Sequence, residues 1–375
     1  MSNCSNRDLM TNRDDIPVTA VLLPPVLVCA AMLSIAACVC LWTGIDGSKL
    51  FLPYLGVAIP ASIIALLCAL FVQVLLLARQ GADEPVKHMQ EWFRRRYPLM
   101  LLPGLILPIF LAGFTITKTG IPFIVGFGWE AFWAEADRLI FREDVWQLAH
   151  SFLGERSAPV LSWFYTMGWG VGFILVGAFV TFSASRGTVG VFYTAMLSTW
   201  LLGGCLTAYA FSAAGPVFAH LADPEVGQQF EGLKITLANV LAERNSVRLT
   251  QLYLEHAVGS HLAVKGGGIS AMPSMHVGAA CIFVLLGRRT LWVLPAVVFT
   301  LIIFVASGYF GYHYWVDGIA AAGIAWACWS AAELCYKARP NPVSANVSAV
   351  IQSVASAEPM FTSPKVAPDA PTPIQ

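Results

Sequence analysis

The sequence predicts an all-α polytopic membrane helical bundle of about eight spans, with a helical cap on the non-cytoplasmic side. Three observations predict it. First, 57% of the 375 residues are hydrophobic and only 12% are charged, against about 25% charged in a soluble domain, and mean hydropathy is +0.68. Second, the apolar residues gather into eight stretches, most of them close to the roughly 20 residues that cross a bilayer as a helix. Third, the Lys and Arg residues of the short loops between those stretches gather mainly in alternate loops, as the positive-inside rule expects of a multi-pass chain.

The stretches are Val18–Trp42, Leu52–Ala78, Leu99–Thr117, Val160–Phe182, Val191–Phe211, Ser274–Leu286, Leu291–Gly308 and Tyr314–Tyr336. The sixth is short and is expected to extend from Ala271 to Arg288. Prolines inside several of them are tolerated where neighbouring helices resatisfy the backbone. Arg7 and Arg13 precede the first span. Arg79, Lys87, Arg94, Arg95 and Arg96 lie between the second and third, Arg186 between the fourth and fifth, and Arg288 and Arg289 between the sixth and seventh. Lys337 and Arg339 follow the eighth. An eight-span arrangement puts all of these on one face, which the charge rule makes cytoplasmic. Asp14-Asp15 ahead of a first run long enough to span argues against a cleavable signal peptide.

The opposite face then holds two long segments. The first, 118–157, carries Trp129, Trp133, Trp146, Glu130, Glu135, Asp137, Glu143 and Asp144, and reads as one or two interfacial helices. The second, 213–270, has a helix start at Asp223-Pro224, apolar residues at helical spacing (Leu233, Leu237, Val240, Leu241), and a second helix over Val247–Ala257. It is either a cap packed on the bundle or a lid that orders a lipid headgroup. The chain divides into a cytoplasmic N-terminal segment (1–17), two additional spans with a basic cytoplasmic loop (18–97), a six-span domain (98–337) and a tail (338–375). The tail, rich in Ala, Ser, Val and Pro, is expected to be disordered. The nine cysteines, all but Cys4 within apolar segments, read as small buried apolar residues. Formal net charge is zero, so no nucleic-acid partner is expected.

Two short segments carry the chemistry. Pro273-Ser274-Met275-His276 opens the sixth span. Proline suits a first helical turn, the free N–H groups of that turn favour an anion, Ser274 adds a hydroxyl, and His276 can hold or deliver a proton. Just upstream, Gly266, Gly267 and Gly268 allow a close backbone approach to a ligand; a plain flexible turn is the other reading. His313 and Asp317 are four apart at the start of the eighth span and share a helix face. A carboxylate on one ring nitrogen fixes the tautomer and raises the basicity of the other; a structural His–Asp cap is the other reading. The seventh span returns the chain across the membrane, so both histidines lie at the same, non-cytoplasmic face. His220, His256 and His261 form no metal spacing, and neither metal nor cofactor is expected.

Together the two segments resemble the second and third signature motifs of the type 2 phosphatidic acid phosphatase (PAP2) superfamily. The second motif is Pro-Ser-Gly-His; Met275 stands where Gly is usual. The third is Ser-Arg, five residues, His, three residues, Asp; Ala306-Ser307 stands where Ser-Arg is usual, with His313 and Asp317 matching. The first motif, Lys, six residues, Arg-Pro, is absent. These departures resemble the branch containing the inositol phosphorylceramide synthases, as does Ala214-Gly215-Pro216-Val217-Phe218. The resemblance implies a six-helix PAP2-like core and a ping-pong reaction in which His313 attacks phosphorus, Asp317 orients and stabilises it, and His276 protonates the leaving oxygen and later activates the acceptor. Ser274 and the Gly267 and Gly268 amides would hold phosphate oxygens. Lys265 is the cation nearest the motif in sequence and the candidate for the missing positive charge, with Arg248 and Arg244 beside it. The substrate would be a lipid phosphate or phospholipid in the membrane, and the acceptor water or an alcohol, including a sphingolipid-like one. The other class of function is a non-catalytic transporter or scaffold with a degenerate site.

Overall fold

The computed structural model describes residues 16–337; Arg7, Arg13 and the tail from Pro340 lie outside them. The described residues contain no strand, only helices, turns and one isolated bridge between Asp46 and Leu262. The labelled helices are α1 (Val18–Thr43), α2 (Phe51–Gln80), α3 (Pro85–Arg96), α4 (Leu107–Thr119), α5 (Glu130–Phe141), α6 (Val145–Leu153), α7 (Trp169–Ser183), α8 (Arg186–Leu201), α9 (Glu231–Val240), α10 (Ser246–Ala257), α11 (Met275–Gly287), α12 (Val293–Tyr309) and α13 (Trp315–Lys337). Short turns join some of these into longer helical paths, including π turns at Leu102–Ile106, Phe164–Gly168 and Leu202–Thr207.

Each predicted span falls on one of these apolar paths. Six paths are long and apolar enough to cross a membrane, and α11 and α12 are shorter apolar helices. The boundaries follow local chemistry. Gly44 and Gly81, both at positive φ, end α1 and α2; Pro85 opens α3 at its first position; Ser185 caps α8 by accepting from the Thr188 amide. One boundary differs from expectation. The helix of the sixth span, α11, starts at Met275 rather than Ala271: Met272 precedes a proline, which disfavours helical backbone, and the first helical bond is from Gly278 N–H to the Ser274 carbonyl.

The centre of the bundle is α8, buried along most of its length. Against it lie α1, α4, α11 and α13, joined by Met32, Phe110, Tyr193, Met196, Ile282 and Trp329. A membrane supplies no hydrophobic drive between helices, so packing and interhelical hydrogen bonds carry this contact. Tyr336 supplies two such bonds, donating to the Val21 carbonyl at 3.0 Å and meeting the Thr194 hydroxyl at 3.2 Å. The first span is therefore part of the core, while α2 keeps an exposed apolar face.

The second long segment packs on the bundle as a cap. Leu233, Leu237, Leu241, Val247 and Leu254 bury against Phe218, Tyr309, Phe310 and Tyr314. The expected helix over Val247–Ala257 is α10, one residue longer at its start. In α5 the usual polarity is reversed. Glu130 and Asp137, seven residues apart and so on one face, are buried, whereas Phe132, Leu139 and Ile140 are exposed.

Candidate active site

The two motif segments are joined directly. The Ser274 N–H donates to the Asp317 carbonyl at 3.1 Å, and the Ser274 carbonyl accepts from Gly278 to start α11. Ser274 is fully buried, and its hydroxyl has no hydrogen-bond partner among the described residues. Met275 fits where a glycine is usual because its side chain runs over Gly203 and Gly204 in a π turn. A Cβ on Gly204 would come within 2.9 Å of Met275 Cγ.

His276 is held by aromatic faces. Tyr165 stacks on it at 4.6 Å between centroids with 12° between planes, and Trp169 lies against it at 4.4 Å. Trp169 also donates its indole N–H to the His276 carbonyl at 3.2 Å. Tyr165 stacks in turn on Tyr312. It sits within the π turn Phe164–Gly168, a distortion that recurs at functional sites.

His313 comes at the end of a tight turn after α12. The Ser307 carbonyl accepts from both Tyr312 and His313 N–H groups. Its hydroxyl donates to the Phe304 carbonyl at 2.7 Å, so Ser307 serves the turn and brings no charge. The His313 ring is buried, and its Nδ1 lies 2.7 Å from the Ala271 carbonyl and 3.5 Å from Asp317 Oδ2. A carbonyl only accepts, so Nδ1 carries the proton and Nε2 keeps its lone pair. The nearer orienting group is thus a backbone carbonyl that side-chain patterns do not reveal. Asp317 Oδ2 accepts from the Tyr314 N–H at 2.9 Å, closing the first turn of α13 as a capping residue does. Its Oδ1 is buried without a partner among the described residues.

Lys265 lies with its ammonium 5.8 Å from the centre of the Tyr54 ring, and its carbonyl accepts from Tyr253. Gly267 and Gly268 pack inward, whereas Gly266 faces open space. Gly266 N–H donates to Tyr54, and a Cβ on Gly268 would stand 2.8 Å from the Lys118 carbonyl carbon. Gly267 has the Val264 carbonyl oxygen 2.7 Å from where its Cβ would stand. Arg248 donates to the Leu241 carbonyl at 3.1 Å. His220 pairs with Glu255 at 2.7 Å, and His261 bonds the Thr43 carbonyl.

The cation within electrostatic reach of both His276 and His313 is Lys118, in the last turn of α4. The two histidines are also within reach of each other. The signal for Lys118 was in the sequence, since no other Lys or Arg stands between Arg96 and Arg138. A lone ionisable residue at the end of a long apolar stretch marks function by default.

Two buried carboxylates complete the surroundings. Asp137 accepts from the Val316 N–H at 3.1 Å, in the first turn of α13. Burial pushes its carboxyl up to about 7, with the Asp317 charge adding to the rise and the Val316 bond opposing it. Burial likewise pushes Glu130 up to about 6, against the pull of its bonds to Tyr314, Ala214 and Gly215.

The family model described as the PAP2 superfamily matches residues 144–331. No curated protein and no solved structure matches the chain. Lys118, Glu130 and Asp137 lie upstream of the matched residues, whereas Ser274, His276, His313 and Asp317 all lie inside them. Half of the chain is matched, with both histidine segments included, and the chain belongs to the PAP2 superfamily.

Proposed function

We propose that the protein is a membrane-embedded phosphatase or phosphotransferase that acts on lipid phosphates or phosphodiesters through a phosphohistidine on His313. Superfamily membership supports the reaction class. One observation carries the residue assignment: His313 donates Nδ1–H to the Ala271 carbonyl, leaving a nucleophilic Nε2 in a site that also holds His276 and Lys118.

In the first step the Nε2 lone pair attacks phosphorus and the P–O bond to the leaving group breaks. His276 gives its proton to the departing oxygen. In the second, water or an alcohol attacks the phosphohistidine, His276 takes its proton, and the N–P bond breaks. Asp317 stabilises the charge on the His313 ring. Charge on the non-bridging oxygens needs positive partners. Lys118 takes that part, with the Ser274 hydroxyl and the amides at the start of α11 beside it. Lys265, Gly267 and Gly268 support the loop that carries the motif.

The site is assigned to the non-cytoplasmic face on loop charge alone. Inositol-phosphate transfer to a sphingolipid-like alcohol is the finer reading. It rests on Met275 and on His313-Tyr314-x-x-Asp317, the features shared with the inositol phosphorylceramide synthase branch. The test is release of phosphate from phosphatidic acid in mixed micelles, with and without His313→Ala. Loss of turnover is expected. Wild-type turnover in the variant would overturn His313 as the carrier, and no turnover in the wild type would leave a transporter or scaffold as the better reading.

A further inference from the structure

We infer that Glu130 is a positioning residue, whose buried carboxylate holds the backbone frame that aims His313. The inference rests on His313 being the phosphoryl carrier. Glu130 opens α5 and is 1% exposed. Its Oε1 accepts from the Tyr314 hydroxyl at 2.7 Å and from the Gly215 N–H at 3.0 Å, and its Oε2 accepts from the Ala214 N–H. One carboxylate therefore grips the residue after His313 and the two residues after Ala213.

Those two residues lead straight to the nucleophile. The Ala213 carbonyl accepts from Ala271 N–H at 2.8 Å, and the Ala271 carbonyl accepts from His313 Nδ1 at 2.7 Å. On the other side, Val217 N–H donates to the Gly311 carbonyl at 2.8 Å. Gly215, with φ +94°, lies so close that a Cβ would stand 2.5 Å from the Tyr312 carbonyl oxygen. Segment 213–217 is thus a wedge between Ala271 and the turn 311–312, with Glu130 at its back. A half-satisfied buried network loses its single arrangement. All three groups that face Glu130 are donors, so both of its oxygens must accept. An amide keeps one oxygen for the Ala214 and Gly215 N–H groups, which already share Oε2, but it removes the charge and the acceptor that the Tyr314 hydroxyl donates to, so that bond must reverse and weaken.

The experiment uses full-length protein in detergent and phosphate release from phosphatidic acid. Wild type, His313→Ala, Glu130→Gln and Tyr314→Phe are compared, with melting followed in parallel. Glu130→Gln is expected to lower kcat at least about tenfold with KM within about threefold, the split of a group that acts on the transition state alone. Tyr314→Phe removes one of the bonds and is expected to lower kcat about threefold or more, and the double variant to lose less than the product of the two. A merely structural role would lower the melting temperature and leave kcat of the folded fraction intact. Should Glu130→Gln not fold, Tyr314→Phe decides alone, and an unchanged kcat overturns the inference. Unchanged kcat in both variants beside an inactive His313→Ala also overturns it, and leaves the functional reading standing. Wild-type turnover in His313→Ala overturns both.

Discussion

Asp317→Asn separates two ways of holding His313. In the wild type the Nδ1 proton lies 2.7 Å from the Ala271 carbonyl and 3.5 Å from Asp317 Oδ2. The asparagine keeps an oxygen for the Tyr314 N–H, so the cap on α13 and the melting temperature should hold. The Ala271 carbonyl keeps the tautomer, because it cannot donate. What disappears is charge. Two unit charges at 3.5 Å attract by about 5 kcal/mol at an effective dielectric of about 20. With about half of the ring charge developed in the transition state, the loss is ~2–3 kcal/mol, or roughly 30- to 200-fold in kcat. Where a carboxylate alone sets the tautomer, the same change costs about 10⁴-fold. The assay is initial-rate phosphate release from phosphatidic acid micelles. A loss of about 10⁴-fold or more would show that Asp317, not Ala271, fixes the ring. A loss under about twofold would reduce Asp317 to a helix cap.

Three further predictions follow from the same geometry. Lys118→Ala should lower kcat/KM at least about 100-fold, whereas Lys265→Ala should change it less than about threefold; the reverse order would return the phosphate to the Lys265 side of the loop. Asp137, raised from its ordinary 3.8 to about 7, keeps a proton in the folded state that the unfolded chain has lost, so stability present at low pH is lost as pH rises from about 4 through about 7, by up to about 4 kcal/mol. The melting temperature in detergent should fall over that range, and Asp137→Asn, which keeps an acceptor for Val316, should flatten part of the fall, with Glu130, raised from 4.5 to about 6, contributing another part; an unchanged slope in the variant contradicts the assignment. A reporter fused after Leu286 should read cytoplasmic and one inserted near Gln228 external, and the same side for both would sink the eight-span topology and the shared face of the two motifs together.

The parts legible in the sequence are those governed by periodicity or by a fixed spacing. Bilayer thickness sets the length of an apolar helix, so the eight stretches could be counted before any contact was known. His276 and His313 were legible because each sits in a short motif beside a helix start. Lys118 is marked in the sequence as a lone cation at the end of an apolar stretch, but its nearness to the histidines is not, because folding brings it there from a segment far away in sequence. Lys265 is the converse case: it is near the motif in sequence, and the turn through Gly266 and Gly268 sets its ammonium beside Tyr54. The start of α11 falls later than the apolar pattern suggests because that pattern takes no account of Pro273, which disfavours helical backbone at Met272. The Ala271 carbonyl is a main-chain acceptor that no residue pattern encodes. Glu130 and Asp137 are read from the sequence only as part of one or two interfacial helices. Their inward face became visible only once Tyr314, Ala214 and Val316 were seen to donate to them.

The central claim is that His313 carries the phosphoryl group, and the most direct measurement is to trap it there. Wild-type protein, His276→Ala and His313→Ala are mixed with radiolabelled phosphatidic acid, or with a labelled lipid phosphate whose leaving group is activated, quenched in base within a turnover, digested, and the labelled peptide sequenced by mass spectrometry. The account predicts a base-stable, acid-labile phosphoryl group on His313 in wild type. It predicts more of it in His276→Ala with an activated leaving group, where the second step lacks its base, and none in His313→Ala. Rapid turnover with no label on His313, or label on another residue that survives His313→Ala, would contradict it.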